Sequence, residues 1–251
     1  MERLENKITV ITGASTGIGA SIAELFASEG ADVVVNYLTS KENAEIVVNN
    51  IKSIGRQAIT IQADMSKKNE INKLIKEVID KFGKIDVWVN NAGADILTGE
   101  EATIGTDEKL EKLIETDLKG TINACWSIAE TMGKQGHGVI VNMGWDLAIH
   151  GFHGINPQIF ATAKSGILGF TRAFAKTVGP MIRVNMVAPG WVETAFAENY
   201  MEKGFYEDRL AEIPLGRFAT PRDIAEAVLF LASEESSYLA GESININGGL
   251  I

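Results

Sequence analysis

The sequence predicts an α/β fold, a doubly wound sheet of about seven parallel strands with helices on both faces. Three observations carry this. Short runs of apolar and β-branched residues recur along the chain; such runs read as strands buried on both faces. Between them lie longer segments with apolar residues at helical spacing. Nearly every strand-like run ends in glycines or small polar residues. Strands alternating with helices from end to end imply parallel βαβ crossovers.

Taken in order, Ile8 to Ile11 is the first strand, and Ile18, Ile22, Leu25 and Phe26 mark the helix behind it. Asp32 to Tyr37 is the second strand. Ser40 starts the next helix, whose Ala44, Val47, Val48 and Ile51 share one face. Ala58 to Gln62 is strand three, followed by an amphipathic helix through Ile71, Leu74, Ile75, Val78, Ile79 and Phe82. Asp86 to Val89 is strand four. Leu110, Leu113, Ile114 and Leu118 stripe a long helix that carries Asp117. Val139 to Met143 is strand five, and a helix opens at Phe160 and continues through Lys164, Ile167 and Phe170. Ile182 to Val187 is strand six, closing on Ala188-Pro189-Gly190. Ile244 to Ile246 is the last strand, ending in Gly248-Gly249.

The chain has 251 residues, 45% of them hydrophobic, and no linker-like tract divides it. One domain over 1–251 is expected, large enough for a sizeable core. The net charge of −10 disfavours nucleic acid, which calls for a basic stripe. No apolar run approaches the ~18 residues of a membrane span, and the N-terminus lacks the plan of a signal peptide. A cytoplasmic location is expected. The single cysteine, Cys125, excludes an intramolecular disulfide and reads as core.

The stretch Thr12-Gly13-Ala14-Ser15-Thr16-Gly17-Ile18-Gly19 sits between the first strand and its helix. A glycine-rich turn there brings backbone close to a phosphate, and the helix end holds the anion. In this setting Gly13, Ser15, Gly17, Ile18 and Gly19 point to a dinucleotide in a Rossmann-type fold. A carboxylate at the end of the second strand would favour NAD. Here Asn36, Tyr37 and Leu38 stand there instead, followed by Thr39, Ser40 and Lys41. The hydroxyls and the cation favour NADP, with NAD as the alternative. Asp64, beside Met65, is placed to accept from an adenine amino group. Asn91, Ala92 and Gly93 after strand four let the backbone approach a flat ligand.

These motifs resemble those of the short-chain dehydrogenase/reductase family, in its 3-oxoacyl-carrier-protein-reductase-like and glucose-dehydrogenase-like branch. The resemblance extends through Asn90-Asn91-Ala92-Gly93, Pro189-Gly190-Trp191-Val192-Glu193-Thr194, Ile213 to Arg217 and Asn247-Gly248-Gly249. It implies cofactor contacts from Pro189, Gly190, Val192 and Thr194. It also implies hydride transfer between a nicotinamide and a carbonyl or alcohol. A tyrosine supplies the proton, a lysine one helical turn on lowers its pKa and holds the ribose, a serine binds the substrate oxygen, and an asparagine anchors a relay water.

This chain keeps only the lysine, Lys164. Phe160 stands at the tyrosine position and has no proton to give. Trp145 or Asp146 falls at the serine, and Asp117 at the asparagine, where it could pair with Lys164. Two explanations compete. One is an oxidoreductase with a rebuilt acid, with Asp146 preferred and His150 and His153 nearby. The other is a catalytically inactive nucleotide-binding protein, a sensor or partner subunit. Asp146, His150 and His153 lack a fourth ligand, so no metal is expected. By resemblance, 195–213 forms a substrate lid. The chain is expected to act on a small carbonyl or alcohol, acyl thioesters among them. It is expected to be a homotetramer through the helices with Leu110–Ala124 and Phe160–Ala175 and the last strand.

Overall fold

The apolar runs fold into seven strands in the computed structural model, which describes residues 2–251. They are β1 (Ile8–Ile11), β2 (Asp32–Tyr37), β3 (Ala58–Gln62), β4 (Val87–Asn90), β5 (Gly138–Met143), β6 (Ile182–Pro189) and β7 (Ser243–Ile246). They form one sheet in the order β3-β2-β1-β4-β5-β6-β7, every neighbouring pair parallel. The chain winds outward from β1 to β3, then returns to β4 on the other side of β1. That reversal opens a crevice at the carboxyl ends of β1 and β4, where ligands bind in such sheets.

The helices are α1 (Gly17–Ser28), α2 (Lys41–Ser53), α3 (Lys68–Phe82), α4 (Thr106–Leu113), α5 (Thr121–Gln135), α6 (Ile155–Val178), α7 (Ala195–Asn199), α8 (Lys203–Ala211) and α9 (Pro221–Ala232). One core layer packs α1, α2 and α9 on the sheet through Phe26, Ile51 and Val228. The other packs α3, α5 and α6 through Leu74, Ile128 and Phe174. Each fully buried side chain of this size contributes roughly 1.5–3 kcal/mol. Cys125 is fully buried in the second layer, as a core residue. Among the described residues, no helix is long and apolar enough to cross a membrane.

Strand ends shift by one or two residues from the sequence reading, and two larger departures shape the site. β4 runs one residue later, to Asn90. The helix expected to open at Phe160 begins five residues earlier, at Ile155. Pro157 does not prevent this, because a proline in the first helical turn removes no hydrogen bond the helix needs. The long helix carrying Asp117 is interrupted: between α4 and α5, Ile114–Gly120 winds as a π-helix. Such wide turns are frequent at functional sites. Gly120 makes room for it, since a Cβ there would lie 2.5 Å from the Met65 carbonyl oxygen.

Candidate active site

Three turns at the carboxyl edge of the sheet are tied to one another. The Thr12 hydroxyl accepts from the backbone N–H groups of Asn91 and Ala92, both at 2.9 Å. The Asn91 amide donates to the carbonyls of Thr12 and Gly13. Asn36 Oδ1 accepts from Gly13 N at 3.1 Å, and its amide nitrogen donates to the Ile61 and Ala63 carbonyls. The ends of β1, β3 and β4 are thereby fixed together, with Asn36 of β2 as the brace between the first two. Asn36 was legible only as a polar residue inside a β-branched run; its bracing role was missed.

Gly13 and Gly17 adopt positive φ, +60° and +55°, a region only glycine enters freely. Gly19 is needed for space: a Cβ would stand 2.4 Å from the Gly13 carbonyl oxygen and 2.6 Å from the Asn91 amide. In front of Gly17 nothing lies within 4 Å of where a Cβ would be. Thr16 gives α1 no side-chain cap, and its first turn holds no acid. An open cradle, uncapped N–H groups and a helix dipole together fit a pyrophosphate.

From that cradle a groove runs both ways. Toward β2 and β3 lies a cavity of about 280 Å³ lined by Gly13, Ser15, Leu38, Thr39, Ser40, Asp64, Met65, Asn91, Ala92 and Gly93. The middle section passes Gly17, Ile18, Gly19, Asn91 and Thr194. It opens into a cavity of about 340 Å³ walled by Gly144, Trp145, Phe152, His153, Phe160, Lys164, Trp191, Phe196 and Phe205. Asn91 belongs to both of the first two sections. Leu97, Phe160 and Phe196 belong to both of the last two.

Several residues expected to touch the cofactor take up packing or pairing roles in the structure. Tyr37 is buried in the core beneath the groove, because strand alternation turns it inward. Lys41 is exposed and faces Glu45 at 3.6 Å; Thr39 and Ser40 line the wall instead. Pro189 is buried in β6, and Val192 bridges to Ala219 and packs on the core. Gly190 is a packing glycine, since a Cβ would meet Asn247 at 2.7 Å and Asp146 Oδ2 at 3.1 Å. Asp64 lies on the wall, but its carboxylate already accepts from Ser66 N and Oγ and faces Lys67 at 3.1 Å. Burial pushes its pKa up, and these partners outweigh burial and hold it below the usual value.

At the reaction end the wide π turn carries Asp117 inward. Its Oδ2 lies 2.7 Å from Lys164 Nζ, with the two side chains 2% and 12% exposed. Its Oδ1 accepts from Ala94 N at 2.8 Å, and Lys164 also donates to the Met143 carbonyl at 3.4 Å. The lysine thus reaches the cavity from a fixed base. Trp145 and Phe160 stand 6.2 Å apart, tilted at 57°. Asp146, the preferred acid, is turned away from the cavity. Its Oδ2 accepts from Asn247 Nδ2 at 3.2 Å and its Oδ1 from Leu147 N at 2.8 Å. Burial raises its pKa, against the opposing pull of the Asn247 bond. Both histidines are exposed; His153 lines the cavity and His150 does not. Among the described residues, no group of three or more His, Cys, Asp or Glu could hold a metal.

Sequence reasoning missed Phe152, which reaches the wall from the loop before α6. It packs edge-on against Trp191 and Phe205 at 6.1 and 6.4 Å. Arg209 of α8 lies 5.1 Å from both phenylalanine rings, a cation–π contact. Phe196 and Phe205 bring the segment 195–213 onto the cavity.

Comparison with known proteins agrees with this architecture. The model of a family described as enoyl-(acyl carrier protein) reductase matches residues 13–251. The 3-oxoacyl-[acyl-carrier-protein] reductase of Thermotoga maritima is 39% identical over 258 residues, covering 99% of each chain. That of Staphylococcus epidermidis is 39% identical, covering 98% of this chain and 99% of its own. A short-chain dehydrogenase from Burkholderia cenocepacia, solved in complex with NADP, superposes with a TM-score of 0.88. It has 31% identity and 99% coverage of both chains. With the sheet order, the glycine cradle and these relatives in agreement, the chain belongs to the short-chain dehydrogenase/reductase family.

Proposed function

We propose that this chain binds NADP(H) along the groove and exchanges a hydride between the nicotinamide and a small carbonyl or alcohol compound in the aromatic cavity. The observation that carries this is the continuity of the groove, with Lys164 on the wall of its last section. The relative solved with NADP supports the choice of nucleotide. So does the wall after β2, where Thr39 and Ser40 offer hydroxyls and no acid stands; Lys41 is one residue away.

When bound, the dinucleotide supplies or takes the hydride. The chain does the rest. The N-terminus of α1 holds the phosphates. Asp117 holds the Lys164 ammonium in place, and that charge steadies the sugar and any negative charge at the substrate oxygen. The aromatic wall excludes water, with the segment 195–213 as its lid. Phe160 and Trp145 provide no hydroxyl, and Asp146 lies outside the cavity. Lys164 and His153 are the titratable groups among the described wall residues. Exposed Leu110 and Trp126 on α4 and α5 support assembly into a homotetramer across that face.

Titrating the protein with NADPH and NADH by fluorescence tests the reading. NADPH is expected to bind at least tenfold more tightly. A panel of ketones, aldehydes and 3-oxoacyl thioesters then tests for NADPH oxidation. Tight binding without turnover would favour the second reading, a nucleotide-binding sensor or partner subunit, which the missing hydroxyl at Phe160 supports. Absence of nucleotide binding would sink both.

A further inference from the structure

We propose that the cavity takes flat, ring-bearing quinones, whose reduction needs no acid from the protein. This rests on the nucleotide reading above and names the substrate class of that same site. Two independent observations converge. The first is chemical. Among the described residues lining the cavity none carries a hydroxyl or a carboxylate; its proton-bearing groups are the exposed His153 and the Lys164 ammonium, already held by Asp117 and the Met143 carbonyl, and Asp146 is bonded to Asn247 instead. An ordinary ketone that receives a hydride becomes an alkoxide. The conjugate acid of an alkoxide is about as weak as water, with a pKa of ~16. Such an intermediate must be protonated as it forms. A quinone behaves differently. It takes a hydride, two electrons and a proton, from a reduced nicotinamide. The nicotinamide C–H bond breaks, an O–H bond forms at one quinone oxygen, and the ring becomes aromatic. The other oxygen is left as a phenolate, whose conjugate acid has a pKa of about 10, like tyrosine. That anion is stable long enough to take its second proton from water. The nicotinamide leaves oxidised, so electrons and protons balance.

The second observation is geometric. Trp145 and Phe160 form one tilted pair at 6.2 Å. Phe152, Trp191 and Phe205 form a second group of edge-to-face contacts at 5.7 to 6.4 Å. Aromatic surfaces of this kind favour offset stacking with a flat ring. A volume of about 340 Å³ lies within the range of small-molecule pockets. Lys164, on the same wall, supplies a cation for the phenolate.

The test uses 1,4-naphthoquinone and its monoketone counterpart 1-tetralone. Quinones also alkylate thiols, but the one cysteine, Cys125, is fully buried and its thiol is pushed up to about 12 by burial. In the absence of nucleotide, naphthoquinone is expected to bind saturably by calorimetry and to quench tryptophan fluorescence. Trp145→Ala is expected to weaken that binding at least tenfold. With NADPH, naphthoquinone is expected to turn over at least 100-fold faster than tetralone. Phe160→Tyr, by restoring an acid, should narrow that ratio at least tenfold. If NADPH binds but tetralone is consumed as fast as naphthoquinone, or naphthoquinone does not bind, the quinone assignment falls and the nucleotide reading stands. If NADPH does not bind, both fall.

Discussion

The two ends of the groove are built by different means. The nucleotide end is made of backbone: glycines at positive φ, an uncapped helix start, and loops tied by Thr12, Asn36 and Asn91. The reaction end is made of side chains: six aromatic rings, a histidine and a lysine held by an aspartate. A backbone site depends on where the chain can pass, so it survives wherever the glycines survive. A side-chain site changes its chemistry with a single substitution. In this protein the first end is a glycine cradle open at Gly17, and the second offers His153 and Lys164 as its titratable groups.

Breaking the nucleotide end should have the larger effect. In Gly19→Ala the new Cβ would meet Gly13 O at 2.4 Å and Asn91 Nδ2 at 2.6 Å. Backbone cannot yield there without opening the turn. NADPH affinity is expected to fall at least 100-fold by calorimetry. Overpacking of this kind costs about 1–3 kcal/mol, and each kcal/mol lowers Tm by roughly 2–4 °C in a chain of this length. Unchanged NADPH affinity in this variant would show that the cradle does not hold the phosphates.

At the reaction end the comparison turns on the Asp117–Lys164 pair. Removing one member leaves a buried charge unpaired. Lys164→Met is expected to destabilise by about 3–5 kcal/mol. Asp117→Leu combined with Lys164→Met should recover most of that loss, because replacing a buried pair by apolar groups is often nearly neutral. Urea denaturation of the parent, of these two variants and of Asp117→Leu alone completes a double-mutant cycle. Equal stability of the single and double variants would mean the pair is only incidental.

A sharper contrast comes from Phe160→Tyr. It places a phenol one helical turn before Lys164, on the same face of α6. Positioned acids contribute about 10²–10⁴-fold. Since no hydroxyl lines the cavity to orient a substrate oxygen, a gain at or below the lower end is expected, roughly 10–100-fold in kcat/KM for a simple ketone. No gain would mean that the ring edge at this position does not face the substrate oxygen.

The fold and the backbone-built site were legible because each rests on local pattern. Continuous apolar runs specify strands, helical spacing specifies the covering helices, and glycines at Gly13, Gly17 and Gly19 mark a turn no other residue can make. The side-chain site was legible by type and not by direction. Asp146 was the right kind of group at the right place in sequence, but the chain turns at Trp145 and sends the carboxylate toward β7 and Asn247. Tyr37 is turned into the core by the same kind of step, one residue across a strand. The π turn at Ile114–Gly120 leaves the apolar stripe of α4 and α5 almost intact, so periodicity could not show it. The Phe152 wall comes from an irregular loop, for which periodicity says nothing.

The smallest effect tests that correction most directly. Burial raises the Asp146 pKa above its unfolded value, which is near 3.9. Between the unfolded and folded values the folded state holds more protons than the unfolded chain, so stability falls as pH rises through that window. Above the raised pKa the full cost of the buried carboxylate is present. Asp146→Asn removes the charge and keeps an oxygen that can accept from Asn247. It is therefore expected to stabilise the protein by about 1 kcal/mol at pH 7, with the gain vanishing below about pH 4. Asp86 should show the reverse. Burial pushes its carboxyl up, but Ile8 N, Lys84 and His137 outweigh that and hold it low. The stability it contributes is lost as pH falls below about 4. Turnover of Asp146→Asn should match that of the parent, because the carboxylate does not reach the cavity. A 100-fold loss of turnover, with stability unchanged, would return Asp146 to the role of acid and close the difference between the two ends of the groove.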